Sequence, residues 1–222
     1  THRFQDNGEL RTQIRRGTYD RDQRSGAIRF AGTNSSASNP LSNPAPVGLD
    51  NFSDATVLNR GTHNKIQDFD SLYLQTDLSR KFDGYGLRHA VLAGVDMARE
   101  KKTVYAVRNS SQGGVDIVKP QTTIGTPDDG AWVDESSRVL GVNNRFTSTG
   151  WGVYAQDLVE IMPHWKLLGG LRYDNLSGSY DNFDLNNGTV ASYKQDISEW
   201  SKRAGVLYQP TDRHSFHLSY GT

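Results

Sequence analysis

The carboxylates best placed to do chemistry lie in "TPDDGAWVDE", where Asp128, Asp129, Asp134 and Glu135 offer the hard oxygen ligands that calcium takes. Their spacing is not that of an EF-hand loop, so a solvated acidic loop is expected there. The histidines, at positions 2, 63, 89, 164, 214 and 217, form no H-E-x-x-H pattern, and only His214 and His217 lie close together, around a turn. No metal site is expected. The sequence has no G-x-S-x-G elbow, P-loop or dinucleotide fingerprint. It also has no cysteine, which removes disulfides, thiolate ligands and a cysteine nucleophile together. Neither an enzyme nor a directly bound cofactor is expected.

The basic stretch "RTQIRRGTYDRDQRSGAIR" is interrupted by Asp20 and Asp22, and the 25 basic and 25 acidic residues of the chain cancel. A nucleic-acid partner, which would call for a basic excess, is not expected. The chain is rich in tyrosine (10) and glycine (22) and poor in methionine (2), as suits strands and turns better than helices. No apolar run reaches the roughly 18 residues of a membrane helix, but a membrane-spanning strand shows only alternate residues to lipid and escapes that criterion. The opening "THRFQDNGEL" and the closing "HLSYGT" suggest an excerpt of a longer protein.

Alternation predicts about seven long strands: Glu9 to Arg24, Lys65 to Phe82, Gly86 to Val107, Arg145 to Ile161, Trp165 to Ser179, Tyr193 to Gln209, and one from His214. Each has one greasy and one wet face. Val153, Ala155 and Val159 oppose Tyr154, Gln156 and Glu160; Leu167, Leu171 and Tyr173 oppose Lys166, Arg172 and Asp174. A soluble β-sandwich also alternates, but its strands typically run to about 5–6 residues. Trp151, Trp165, Tyr173, Tyr208 and Tyr220 fall near the ends of the apolar faces, where membrane barrels carry aromatic girdles. Asp157 falls on the apolar side by parity, which calls for a bulge or a position near a membrane boundary. Short turns, "DGYG", "PH" and "PTDR", alternate with long polar segments at 25–64, 108–144 and 178–192, as in an up-and-down transmembrane barrel.

Three hairpins carry a family likeness. "GWGVYAQDLVEIMPHWKLLGGLRYD", "SKRAGVLYQPTDRHSFHLSYGT" and "LYLQTDLSRKFDGYGLRHAVLAGVD" resemble hairpins of the TonB-dependent outer-membrane receptors, most like those for hydroxamate (ferrichrome-type) ferric siderophores. The resemblance implies an all-β, antiparallel up-and-down barrel of about 22 strands in the outer membrane of a Gram-negative bacterium. Residues 1–222 would be part of that barrel domain, with the plug domain and the C-terminal strands outside the chain.

It further implies uptake of a ferric siderophore, energised by the TonB complex through the missing N-terminal region, in a wall bathed by outer-membrane lipid. Iron would arrive already chelated. Aromatic and basic groups of the inner wall and outer loops would then touch the ligand, and the candidates are Tyr105, Arg108, Trp132, Arg138, Tyr180, Phe183 and Tyr193. Loop packing or girdle roles are the competing reading for each. Other classes left open are a receptor for a non-siderophore cargo, a smaller adhesin or lipase-like barrel, and a soluble β-sandwich binding module.

Overall fold

Alternating sequences of this length can satisfy their backbone only by pairing side by side, and that is what they do. The computed structural model describes residues 1–5 and 7–222. Among the described residues the strands are β1 (His2–Arg3), β2 (Gly8–Phe30), β3 (Val57–Gly84), β4 (Leu87–Arg108), β5 (Thr122–Thr123), β6 (Val139–Met162), β7 (Trp165–Phe183), β8 (Val190–Thr211) and β9 (His214–Gly221). They form one antiparallel sheet in the order β1-β2-β3-β4-β6-β7-β8-β9, with β5 pairing β3. The seven long strands are those expected. Several extend further at their long-loop ends, because there both faces are wet and alternation gives no sign of where a strand stops.

A second layer is absent among the described residues. Buried hydrophobic residues are Ala31, Leu58 and Ile66, while Leu167, Leu171, Val153, Leu74 and Leu78 lie exposed on one face of the sheet. A sandwich would bury such a face against a partner sheet, so the soluble-sandwich alternative fails. The apolar face needs an apolar solvent. No helix among the described residues is long and apolar enough to cross a membrane.

Aromatic rings bound this face at two levels. Above, Trp151 meets Tyr173 at 5.5 Å and Tyr173 meets Trp200 at 5.1 Å. Below, Trp165 stacks on Tyr208 at 4.5 Å beside Phe216. From Trp151 down β6 to Met162, which pairs with Trp165, about 11 steps of about 3.3 Å at a tilt near 45° span about 25 Å, the height of a barrel's apolar band. Tyr220 departs from the expectation: it pairs with Ala204, two rows inside the lower level.

Asp157 stays on the apolar face. Its pairing with Val91 is in unbroken register, and the irregularity of β6 against β7 comes later, between Glu160 and Met162, so a bulge, one of the two explanations expected, does not account for it. His89 Nδ1 lies 2.6 Å from its Oδ2, and the His89 ring stacks on Phe82 at 5.0 Å. Oδ2 is met by a side chain of the neighbouring strand, while Oδ1 finds no partner among the described residues.

The β6–β7 turn is Pro163-His164, with His164 at φ 72°. Proline presets the first turn position, and the second requires the left-handed region that a side chain disfavours. His164→Gly is therefore expected to stabilise the protein by about 1 kcal/mol, and His164→Val to weaken it by at least as much, read from urea unfolding midpoints.

Candidate functional site

The polar faces of the strands carry two layers of side chains. Lower down, at the height of the apolar band, Arg172 reaches Asp96 at 2.7 Å and Asp174 at 2.6 Å and lies over the Tyr154 ring at 5.2 Å. The Tyr154 hydroxyl donates to Asp77, and Gln75 Nε2 donates to it at 3.2 Å. Gly94 and Gly152 leave room for these side chains to lie flat: a Cβ at Gly94 would sit 2.6 Å from the Tyr154 ring, and one at Gly152 would strike the Arg172 guanidinium. Charges here pair across the wall, so it can face water or another polar surface.

Higher up, strand register builds a row that no local stretch of sequence displays. Tyr19 pairs with Phe69, Phe69 with Lys102, Lys102 with Phe146, Phe146 with Tyr180, and Tyr180 with Tyr193. All six share the polar-face parity, so five rings flank one ammonium across six adjacent strands. Tyr19 stacks with Phe69 at 6.1 Å and Tyr180 lies 6.3 Å from Tyr193. The row below is Gly17, Ser71, Glu100, Ser148, Gly178 and Gln195, with Ser71 and Ser148 buried. Four of these six are glycine or serine, and small side chains beneath large ones make a ledge. Phe146 stands five residues above Trp151, about 12 Å beyond the apolar band, so the ledge is reached from the long-loop side.

The long loop between β4 and β6 is clamped to the opposite face of β2 and β3, above the apolar band. Arg60 holds Asp129 at 3.1 Å, Arg24 holds Glu135 at 3.0 Å, Lys119 holds Glu135 at 3.1 Å, and Arg138 pairs with Asp22. Asp128 and Asp134 accept from the backbone N–H groups of Gly130 and Ser136. The acidic stretch thus spends its carboxylates on arginine, lysine and turn amides. Hydrogen bonds from Arg138 and Arg24 hold the Asp22 carboxyl at about 2, and Lys119 and then Arg24 lower that of Glu135. A depressed carboxylate stabilises above its unfolded value and loses that contribution only as pH falls through the folded one. Hydrogen exchange of residues 109–138 should therefore be governed by the same clamp from about pH 8 to pH 5 and loosen only below about pH 4, whereas Asp22→Asn should loosen the loop at every pH.

The seven expected contact residues separate by face. Tyr180 and Tyr193 are neighbours in the row, and Arg108 shares their parity. Tyr105 and Phe183 lie on the other face, where Tyr105 donates to Asp68 at 2.6 Å and Arg145 sits 5.6 Å from the Phe183 ring. Trp132 and Arg138 belong to the clamped loop and line a depression with Arg24 and Glu135. Tyr19, Phe69, Lys102 and Phe146 were not among the expected residues. Counting back from the β3–β4 turn pairs Phe69 with Lys102, a signal the sequence did contain.

Comparison with known proteins agrees with this architecture. A family model described as "TonB dependent receptor-like, beta-barrel" matches residues 1–222. The catecholate siderophore receptor Fiu of Escherichia coli is 26% identical over 185 residues, covering 74% of this chain and 22% of Fiu. The "Probable TonB-dependent siderophore receptor PiuA" of Acinetobacter baumannii is 23% identical over 180 residues, 72% of this chain and 23% of PiuA. The crystal structure of Fiu in its open form superposes with a TM-score of 0.70 at 22% identity, over 99% of this chain and 33% of that one. The matched part of the chain spans less than a quarter of the length of these curated relatives. The hydroxamate subtype suggested by the hairpins finds no support here, since Fiu is named for catecholates. The chain belongs to the TonB-dependent receptor-like β-barrel family.

Proposed function

We propose that this chain is a wall segment of an outer-membrane receptor that captures a ferric siderophore of the catecholate type and imports it with energy from the TonB complex. The observation that carries the reading is the row Tyr19–Phe69–Lys102–Phe146–Tyr180–Tyr193 above its ledge. A ferric catecholate is an anionic complex that exposes aromatic rings, so it is matched by ring faces for stacking and an ammonium for charge. The name of Fiu points to a catecholate and that of PiuA to a siderophore. In this reading Tyr180, Tyr193 and Arg108 keep the ligand role expected of them. Tyr105 and Phe183, on the other face, leave it, and Trp132 and Arg138 act through the loop. The polar lattice around Arg172 would face a plug domain, and the chelate would pass inward when that plug rearranges.

Growth on single iron sources tests the proposal. A strain whose only siderophore receptor is the full-length protein should take up labelled iron from a ferric catecholate and not from a ferric hydroxamate. Uptake from the hydroxamate alone would overturn the catecholate assignment; uptake from neither would overturn the siderophore reading.

A further inference from the structure

One row above the rings, the same face of the wall carries carboxamides. Two residues further toward the long loops on each strand stand Arg21, Gln67, Val104, Asn144, Asn182 and Ala191, and strand pairing joins these six in turn. Along a strand the two rows are about 7 Å apart, and Asn144 and Asn182 are directly opposed. Gln67 and Asn144 are half-buried and Asn182 is exposed, which leaves all three amides reachable from the wet side. Among the described residues none of the three makes a side-chain hydrogen bond. Arg21, at the end of the row, donates to Gln23. Gln156 and Gln195 make none either, but each is the one carboxamide of its row. Three uncommitted amides stand together only where the rings lie directly beneath them.

A carboxamide donates through its nitrogen and accepts through its oxygen, and it carries no charge. Its full complement in a ligand is a neutral group that also does both. An anionic oxygen only accepts and is better met by arginine or lysine, and a catechol oxygen bound to iron likewise only accepts. A secondary amide donates and accepts, and one attached directly to a ring lies closer to it than the roughly 7 Å between the rows. We infer that Gln67, Asn144 and Asn182 are specificity-determining residues that recognise secondary amides borne on the catechol rings of the chelate, while the row below stacks the rings themselves. The bound chelate displaces water from these amides and breaks no existing bond of the wall. A chelate without ring-borne amides strips the same water and returns no hydrogen bond, which is the source of discrimination.

The inference rests on the catecholate reading above, and two probes separate the two. They are ferric complexes of hexadentate tris-catechol ligands that differ only at the link to each ring, a secondary amide in one and a two-carbon alkyl link in the other. Binding to the full-length receptor is read from quenching of its tryptophan fluorescence. Wild type is expected to bind the amide-linked complex about ten- to a hundredfold more tightly. Q67M/N144L/N182L keeps side-chain size and removes the amides, so it should lose that preference, weakening for the amide-linked complex and staying within about threefold for the alkyl-linked one. Heat-modifiable migration on gels checks folding, and N144L alone, expected to cost about fivefold on the amide-linked complex, serves if the triple variant does not assemble. Equal binding of the two complexes by wild type, or equal weakening for both in a folded variant, would overturn the amide role and leave the catecholate reading standing. Binding of neither complex by wild type would overturn both.

Discussion

Arginine introduced at Ala155 should cost the receptor about 2–4 kcal/mol of stability in a bilayer, while arginine at the adjacent Gln156 should cost close to nothing. Ala155 sits on the apolar face, near the middle of the span between Trp151 and Met162, and pairs with Ala93 and Leu171. Gln156 points the other way, in a row with Leu92, Gly170 and Arg203. One step along a strand exchanges hydrocarbon for the wet side of the wall, so the pair of substitutions isolates the solvent on each face from every other variable. Urea unfolding of the full-length receptor in lipid vesicles reads the difference directly. Equal costs at the two sites would mean that the apolar face is not lipid-facing, and the reading of the sheet as a membrane wall would fall with it.

That contrast was legible before the fold was seen, because alternation with period two depends only on neighbouring residues. Val153, Ala155 and Val159 announce a face wherever the strand goes. The ends of the strands were not legible: β3 begins at Val57, where Asn59, Arg60 and Thr62 are polar on both faces, and only pairing with β2 makes it a strand. The same limit hid most of the candidate site. Short turns fix register by counting, which joins Phe69 to Lys102, whereas Tyr180 meets Tyr193 only because β7 and β8 extend into the polar segment expected to be a loop. Phe146 meets Tyr180 only after an irregularity between Glu160 and Met162 displaces the count by one. Tyr19 meets Phe69 across a long loop whose course sets the register and leaves no trace in composition. Asp157 shows the converse, a charge whose parity was read correctly but whose partner, His89, lies on another strand.

Removing three rings of the row tests the proposed site most severely. Phe146→Ala, Tyr180→Ala and Tyr193→Ala together should weaken binding of a ferric catecholate to the full-length receptor by about 2–4 kcal/mol, roughly 30- to 1000-fold, if each ring contributes about 1 kcal/mol of stacking. Lys102→Met should cost about tenfold for the anionic chelate and less at high salt, since it removes charge without removing ring area. Phe183→Ala is the internal control. Its ring is as large and lies in the same hairpin as Tyr180 and Tyr193, but it sits on the other face beside Arg145, so binding should be unaltered. Loss of binding in Phe183→Ala with none in the triple variant would place the ligand on the wrong side of the wall and refute the site. Equal loss in both would point to a damaged hairpin, and the melting temperature of each variant without ligand separates that outcome from a true contact.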